Sequence, residues 1–256
     1  MADPRIAIDH ISKSYGAQKA LDDVSLTIEA GEFVALVGAS GSGKTTLLKT
    51  INRLIAPDAG VVRIEGEDAA AQAPHLLRRK IGYVFQDIGL FPHLTLAENI
   101  AITPKLLGWD KPRMAGRVDE LLDLVALPRA WGARFPAALS GGQRQRIGVA
   151  RALAAQPHIV LMDEPFGALD PLTRDALGED YRALHERLGL STVMVTHDMT
   201  EALLLADRIA VLAGGQLIAD GPPQALAKSD DPRVADLLAA PRRQAARLAE
   251  RLGGAA

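Results

Sequence analysis

The 256-residue chain contains no cysteine, which excludes a disulfide framework, a thiolate metal site and a cysteine nucleophile. It also lacks a charge excess. Its 29 basic residues face 31 acidic ones, so no general field favours nucleic acid as a partner. The start, "MADPRIAIDH", has neither a basic leader nor an apolar stretch and does not read as a signal peptide. No window approaches the ~18 uninterrupted apolar residues of a membrane span, and the richest, "ALLLADRIAVLAGG", is broken by Asp207 and Arg208. These absences predict a soluble, unexported chain that needs a partner to hold it at a membrane. Internal repeats are lacking too. What the chain does have is apolar mass: 48% of residues, enough for one large domain or one domain with a lobe.

The periodicity changes along the chain. "IAIDHISKSYG", "VSLTIEA" and "EFVALVG" alternate or run apolar and predict strands, the last of them central in a sheet. Leu47, Leu48, Ile51, Leu54 and Ile55 then fall at helical spacing until Pro57 and Gly60. "GVVRIEG" and "KIGYVFQ" return to strand. From about Leu90 to Ala155 the text is helical, with proline joints at 92, 104, 112, 128 and 136. "HIVLMDEP", "STVMVTHD" and "RIAVLAGGQLIADG" are strands again, around the helical "LTRDALGEDYRALHERL". Strands on both sides of a helical stretch predict an α/β core with a helical lobe spliced in. The segment after Pro222 is alanine-rich and amphipathic, and its Arg242, Arg243, Arg247 and Arg251 read as a solvated helix face.

Two stretches look built for anions. "GASGSGKT", Gly38 to Thr45, matches G-x-x-x-x-G-K-[ST] between a buried strand and a periodic helix. Backbone N–H groups at a helix start, with glycines at 38, 41 and 43, can wrap phosphates closely. In that pattern Lys44 reaches the β- and γ-phosphates and the Thr45 hydroxyl ligates Mg²⁺. At the end of "IVLMDEP", Asp163 is placed to hold magnesium and Glu164 to orient or deprotonate a water; two acids in that place could also be a solvated strand end. The second stretch is "LSGGQRQRIGVARAL". Ser140 and Gln143 fit a capping box. Glycines 141 and 142 weaken a first turn by about 1 kcal/mol each relative to alanine, which close approach of an anion to bare N–H groups would explain.

Together, "GASGSGKT", "LSGGQ" at Leu139–Gln143 and "LMDEPFGALD" at Leu161–Asp170 resemble the ATP-binding cassette of an ABC transporter, from about Ile6 to Gly221. The resemblance implies a RecA-like P-loop core, an antiparallel β subdomain and a helical subdomain at about 90–155. The cassette would occupy residues 1–240, with a short helical tail over 241–256. It implies ATP and Mg²⁺ as ligands, with Gly38, Ala39, Ser40, Gly41, Ser42, Gly43, Lys44, Thr45 and Thr46 around the phosphates. Tyr15 sits where an aromatic stacks on adenine. Gln86 matches the Q-loop residue at the metal–water shell, so the metal set is Thr45, Gln86 and Asp163. Glu164, His197 and Gln86 form the catalytic set, with His197 as the switch histidine. Two cassettes of this family pair head to tail, so Ser140, Gly141, Gly142, Gln143 and Asp170 would act on the nucleotide of a second copy.

"QDIGLFPHLTLAENIAITPKLLGW", Gln86 to Trp109, is similar to the importers of quaternary-ammonium osmoprotectants such as glycine betaine, carnitine and choline. The resemblance implies a homodimer on the cytoplasmic face of a bacterial inner membrane, bound to integral permease subunits and indirectly to a substrate-binding protein. Only about thirty residues follow Gly221, too few for the paired nucleotide-sensing modules of several such importers. Ionic-strength sensing by those modules is therefore not expected. Three other readings compete with this one. One is an importer ATPase for another solute, such as an amino acid or polyamine. Another is an ABC ATPase acting on ribosomes or DNA, which the single cassette and balanced charge disfavour. The third is a P-loop kinase or GTPase, which leaves "LSGGQ" and His197 without roles.

Overall fold

The computed structural model describes residues 4–251. The chain opens with β1 (Ile6–Tyr15) and β2 (Gln18–Ile28), then the wholly buried β3 (Phe33–Val37), which runs through a glycine loop into α1 (Lys44–Ile51). Next come β4 (Ala59–Ile64), β5 (Glu67–Asp68), α2 (Pro74–Lys80) and β6 (Ile81–Val84). Three helices follow: α3 (Leu96–Leu106), α4 (Lys111–Leu124) and α5 (Gly141–Leu153). The remaining core elements are β7 (Ile159–Asp163), α6 (Pro171–Leu188), β8 (Ser191–Val195), α7 (Met199–Leu205), β9 (Arg208–Ala213) and β10 (Gln216–Gly221). α8 (Pro223–Leu226) and α9 (Pro232–Arg251) end the described chain.

β2-β1-β4-β5 make one antiparallel sheet, and β10-β9-β3-β8-β7-β6 make a second that is parallel except for β10. The fold is therefore α/β, with α3–α5 inserted between β6 and β7. Alternation along the buried strands explains the layering. Phe33, Ala35 and Val37 of β3 pack with the helices, whereas Val34 and Leu36 face the antiparallel sheet and α1. The same split separates Val160 and Met162 from Ile159 and Leu161 on β7. A parallel sheet covered on both faces needs such continuous apolar strands.

Local signals set helix ends where periodicity does not. α1 ends at Ile51, although apolar spacing continues to Ile55. Arg53 turns left-handed (φ 56°) and donates its guanidinium to the carbonyl of Ala69 at 3.2 Å. Pro104 lies inside the last turn of α3 rather than at a joint, while Pro112 opens α4 where a missing N–H costs nothing. α9 runs unbroken through position 240, the boundary expected between cassette and tail. The side chains of Arg242 and Arg247 and all of residues 252–256 lie outside the described residues.

Candidate functional site

The carboxyl ends of four parallel strands converge. β3 leads into the glycine loop, β7 ends at Asp163 beside Glu164, β8 leads to His197 and β6 to Gln86. Ligands of open α/β sheets bind at this edge. An open cleft of ≈ 680 Å³ lies there, lined by Tyr15, Gln18, Ala20, Ser40, Gly41, Gly43, Lys44, Thr45, Thr46, Gln86, Glu164 and His197. That volume falls within the range of small-molecule sites.

The loop is shaped for close backbone approach. Gly43, the N-cap of α1, has φ 103°, and a Cβ there would stand 2.4 Å from the carbonyl oxygen of Ala20. Having no side chain, Gly43 also leaves the first-turn N–H groups of α1 without a side-chain cap, which is the condition for an anion site. Lys44 is buried, and its Nζ donates to the carbonyls of Gly38 (2.8 Å) and Ala39 (2.9 Å). Burial pushes the ammonium pKa down, while the carboxylates of Glu164 and Asp163 oppose the shift.

Behind the loop, Thr45 Oγ1 donates to Asp163 Oδ1 at 3.0 Å. The other carboxylate oxygen meets the Tyr83 hydroxyl at 3.4 Å and Lys49 Nζ at 3.7 Å. Neither Tyr83 nor Lys49 belongs to a motif of the sequence. A phenol on a buried strand must find a partner for its hydroxyl, and that was the available signal for Tyr83. Burial, then the charge of Asp163, pushes this phenol's pKa up, so it stays a donor. A hydroxyl and a carboxylate are hard oxygen donors, a set that suits Mg²⁺ with phosphate oxygens and waters completing the shell. No cluster of three or more His, Cys, Asp or Glu side chains able to hold a metal occurs among the described residues.

Glu164 sits at the centre of the polar wall. Its Oε2 accepts from Gln86 Nε2 at 3.2 Å and lies 3.1 Å from His197 Nδ1. Its backbone is left-handed, φ 45°, a costly conformation for a residue with a Cβ. Strain of this kind gathers at functional sites. A carboxylate so held, beside the glycine loop, can orient a water and accept its proton.

The second glycine stretch behaves differently. Ser140 and Gln143 form a complete capping box on α5: Ser140 Oγ accepts from Gln143 N–H (3.3 Å), and Gln143 Oε1 from Ser140 N–H (2.9 Å). Gly142 is packed against α6: a Cβ there would lie 2.5 Å from Thr173 Cγ2, which by itself accounts for a glycine at this position. Gly141 has only ordinary contact in prospect, 3.7 Å to Leu169 Cδ2. Asp170 caps α6, accepting from Thr173 N–H at 3.0 Å. Among the described residues, the lining of the cleft includes neither Ser140–Gln143 nor Asp170.

Residues 21–167, more than half of the chain, match the ABC transporter family. The chain belongs to that family. The cassette is 52% identical over 219 residues to the choline transport ATP-binding protein OpuBA of Bacillus subtilis, covering 85% of this chain and 58% of that protein. It is 49% identical over 235 residues to the carnitine transport ATP-binding protein OpuCA of Listeria monocytogenes, covering 91% and 59%. The chain thus spans under two thirds of the length of these curated relatives. Among solved structures it resembles the ATP-binding cassette MJ0796, described as a dimeric post-hydrolysis state bound to ADP and Pi. That cassette is 34% identical with a TM-score of 0.76, over 85% of this chain and 98% of that one.

Proposed function

We propose that the chain is the ATP-hydrolysing subunit of a bacterial importer for quaternary-ammonium osmoprotectants such as glycine betaine, carnitine and choline. The observation that carries this reading is a single cleft. In it the uncapped start of α1, Lys44, Thr45 and the Glu164–Gln86–His197 cluster meet, with Asp163 behind Thr45. Adenine stacks on Tyr15, half-exposed at the rim, and the phosphates lie on the N–H groups of residues 38–46. Lys44 exchanges its two carbonyl partners for phosphate oxygens, which a buried ammonium favours. Thr45, Asp163 and Gln86 would hold magnesium, which would supply charge neutralisation for the phosphates. Glu164 Oε2 orients the attacking water and takes its proton. The new bond joins water oxygen to γ-phosphorus as the bond to the bridging oxygen breaks. His197, its ring largely exposed, meets the charge on the γ-phosphate.

Ser140–Gln143 and Asp170 serve the nucleotide of a second copy, so the working unit is a homodimer. The dimeric description of MJ0796 supports this arrangement. The homodimer drives separate permease subunits, which an external binding protein loads, at the cytoplasmic face of the inner membrane. No described helix is long and apolar enough to cross a membrane. The cargo class is supported by the Gln86–Trp109 stretch and the names of the relatives.

The test is Glu164→Gln. The variant should bind ATP, fail to turn it over and elute as a dimer in size-exclusion chromatography with ATP. Wild-type turnover by the variant would remove Glu164 from its role, and a monomer at saturating ATP would refute the two-copy site. For cargo, labelled glycine betaine uptake through the assembled importer should be competed by choline and carnitine; equal competition by an amino acid would overturn the class.

A further inference from the structure

One guanidinium ties together the two loops that carry Glu164 and His197. Arg174 lies on α6, one turn past its cap Asp170. Its Nη2 donates to the carbonyl of Leu169 at 3.2 Å and reaches that of Gly167 at 3.5 Å, both in the turn that leaves Glu164. Its Nη1 donates to Asp198 Oδ2 at 3.2 Å, one residue beyond His197. Its Nε is buried with no hydrogen-bond partner and faces Glu201 Oε1 at 3.6 Å. Glu201 is buried as well. Its Oε2 accepts from the Thr196 hydroxyl at 2.6 Å, and Thr196 Oγ1 accepts from Asp198 N–H at 3.0 Å. Burial pushes the Glu201 carboxyl up, which the Thr196 hydroxyl and Arg174 counter.

We infer that Arg174 is a positioning residue for hydrolysis, clasping the 164–170 turn to the 196–201 loop so that Glu164 Oε2 and His197 Nδ1 stay in register. Only a planar fork of five donors can serve carbonyls on one side and carboxylates on the other; an ammonium cannot. A surface ion pair explains neither the buried Nε nor the two carbonyls. The clasp also gives dimer closure a route to His197. Pressure on the 167–170 turn displaces carbonyls that Arg174 holds, and Asp198 carries the displacement to the switch loop. The inference rests on the ATPase reading above.

The experiment measures kcat, KM and fluorescent ATP-analogue affinity on the full chain, with melting temperature as a control. Arg174→Lys keeps a cation near Asp198 and Glu201 but loses the clasp. Its kcat should fall roughly tenfold or more, as small misplacements of reacting groups do, with KM and affinity within about twofold. Arg174→Gln combined with Glu201→Gln leaves no unpaired buried carboxylate at position 201. It should melt near wild type and lose kcat equally. Either folded variant turning over within twofold of wild type would overturn the clasp, as would a loss expressed wholly in KM. A wild-type chain without ATPase activity would refute the ATPase reading itself, and the clasp with it.

Discussion

Glu164 should be more stable as glycine than as alanine, the reverse of the usual order. Its φ of 45° is fixed by two backbone bonds: Glu164 N–H donates to the Val195 carbonyl at 2.9 Å, and the Glu164 carbonyl accepts from Gly167 N–H at 3.3 Å. Glu164→Gly and Glu164→Ala lose the same contacts to Gln86 and His197, so their difference isolates the backbone. At an ordinary position glycine is worse than alanine by roughly 0.5–1 kcal/mol through the entropy of the unfolded chain. A left-handed residue with a Cβ costs roughly 1–2 kcal/mol, which glycine avoids. The balance favours glycine by about 1 kcal/mol, or ~2–4 °C in melting temperature for a chain of this size. Neither variant should hydrolyse ATP. Thermal melts by circular dichroism without nucleotide decide the matter. An alanine variant that melts at or above the glycine one would show that Glu164 stores no backbone strain.

Two further outcomes are expected. Ser140→Arg removes the cap of α5, costing about 1 kcal/mol of stability, and should cut turnover at least roughly tenfold by steric and charge conflict with a second copy while ATP-analogue binding stays intact; undiminished turnover would count against a role for this helix in the dimer. Acidification should destabilise the fold through His185, whose Nε2–H donates to the Gly31 carbonyl (3.2 Å) and whose Nδ1 accepts from the Thr192 hydroxyl (3.0 Å). Burial lowers its pKa below the ordinary histidine value of about 6.5. The unfolded chain therefore binds the proton first, and stability falls with pH from about 6.5 down to the depressed folded value. Urea midpoints across that window should slope less in His185→Gln, and an unchanged slope would clear His185.

Much of the candidate site was legible because its parts are local. The Lys44 loop needs a strand, a glycine turn and a helix start, all contiguous from Phe33 to Ile51. The Ser140–Gln143 box spans one turn, and Asp163 with Glu164 ends one strand. Partners distant in sequence were not legible. Tyr83 and Lys49 reach Asp163 from separate elements, and Arg174 joins carbonyls and carboxylates that only the β7–β8 pairing brings close.

The sequence by itself determined the alternating α/β order, the glycine loop between β3 and α1, and the family, since each rests on short-range periodicity and spacing. Only the tertiary structure decided that Gly142 packs against α6, which side chains reach Asp163, and what holds Glu164. Those depend on how buried strands stack and which carbonyls then face which side chains, and no local pattern of residues encodes a distance across the sheet.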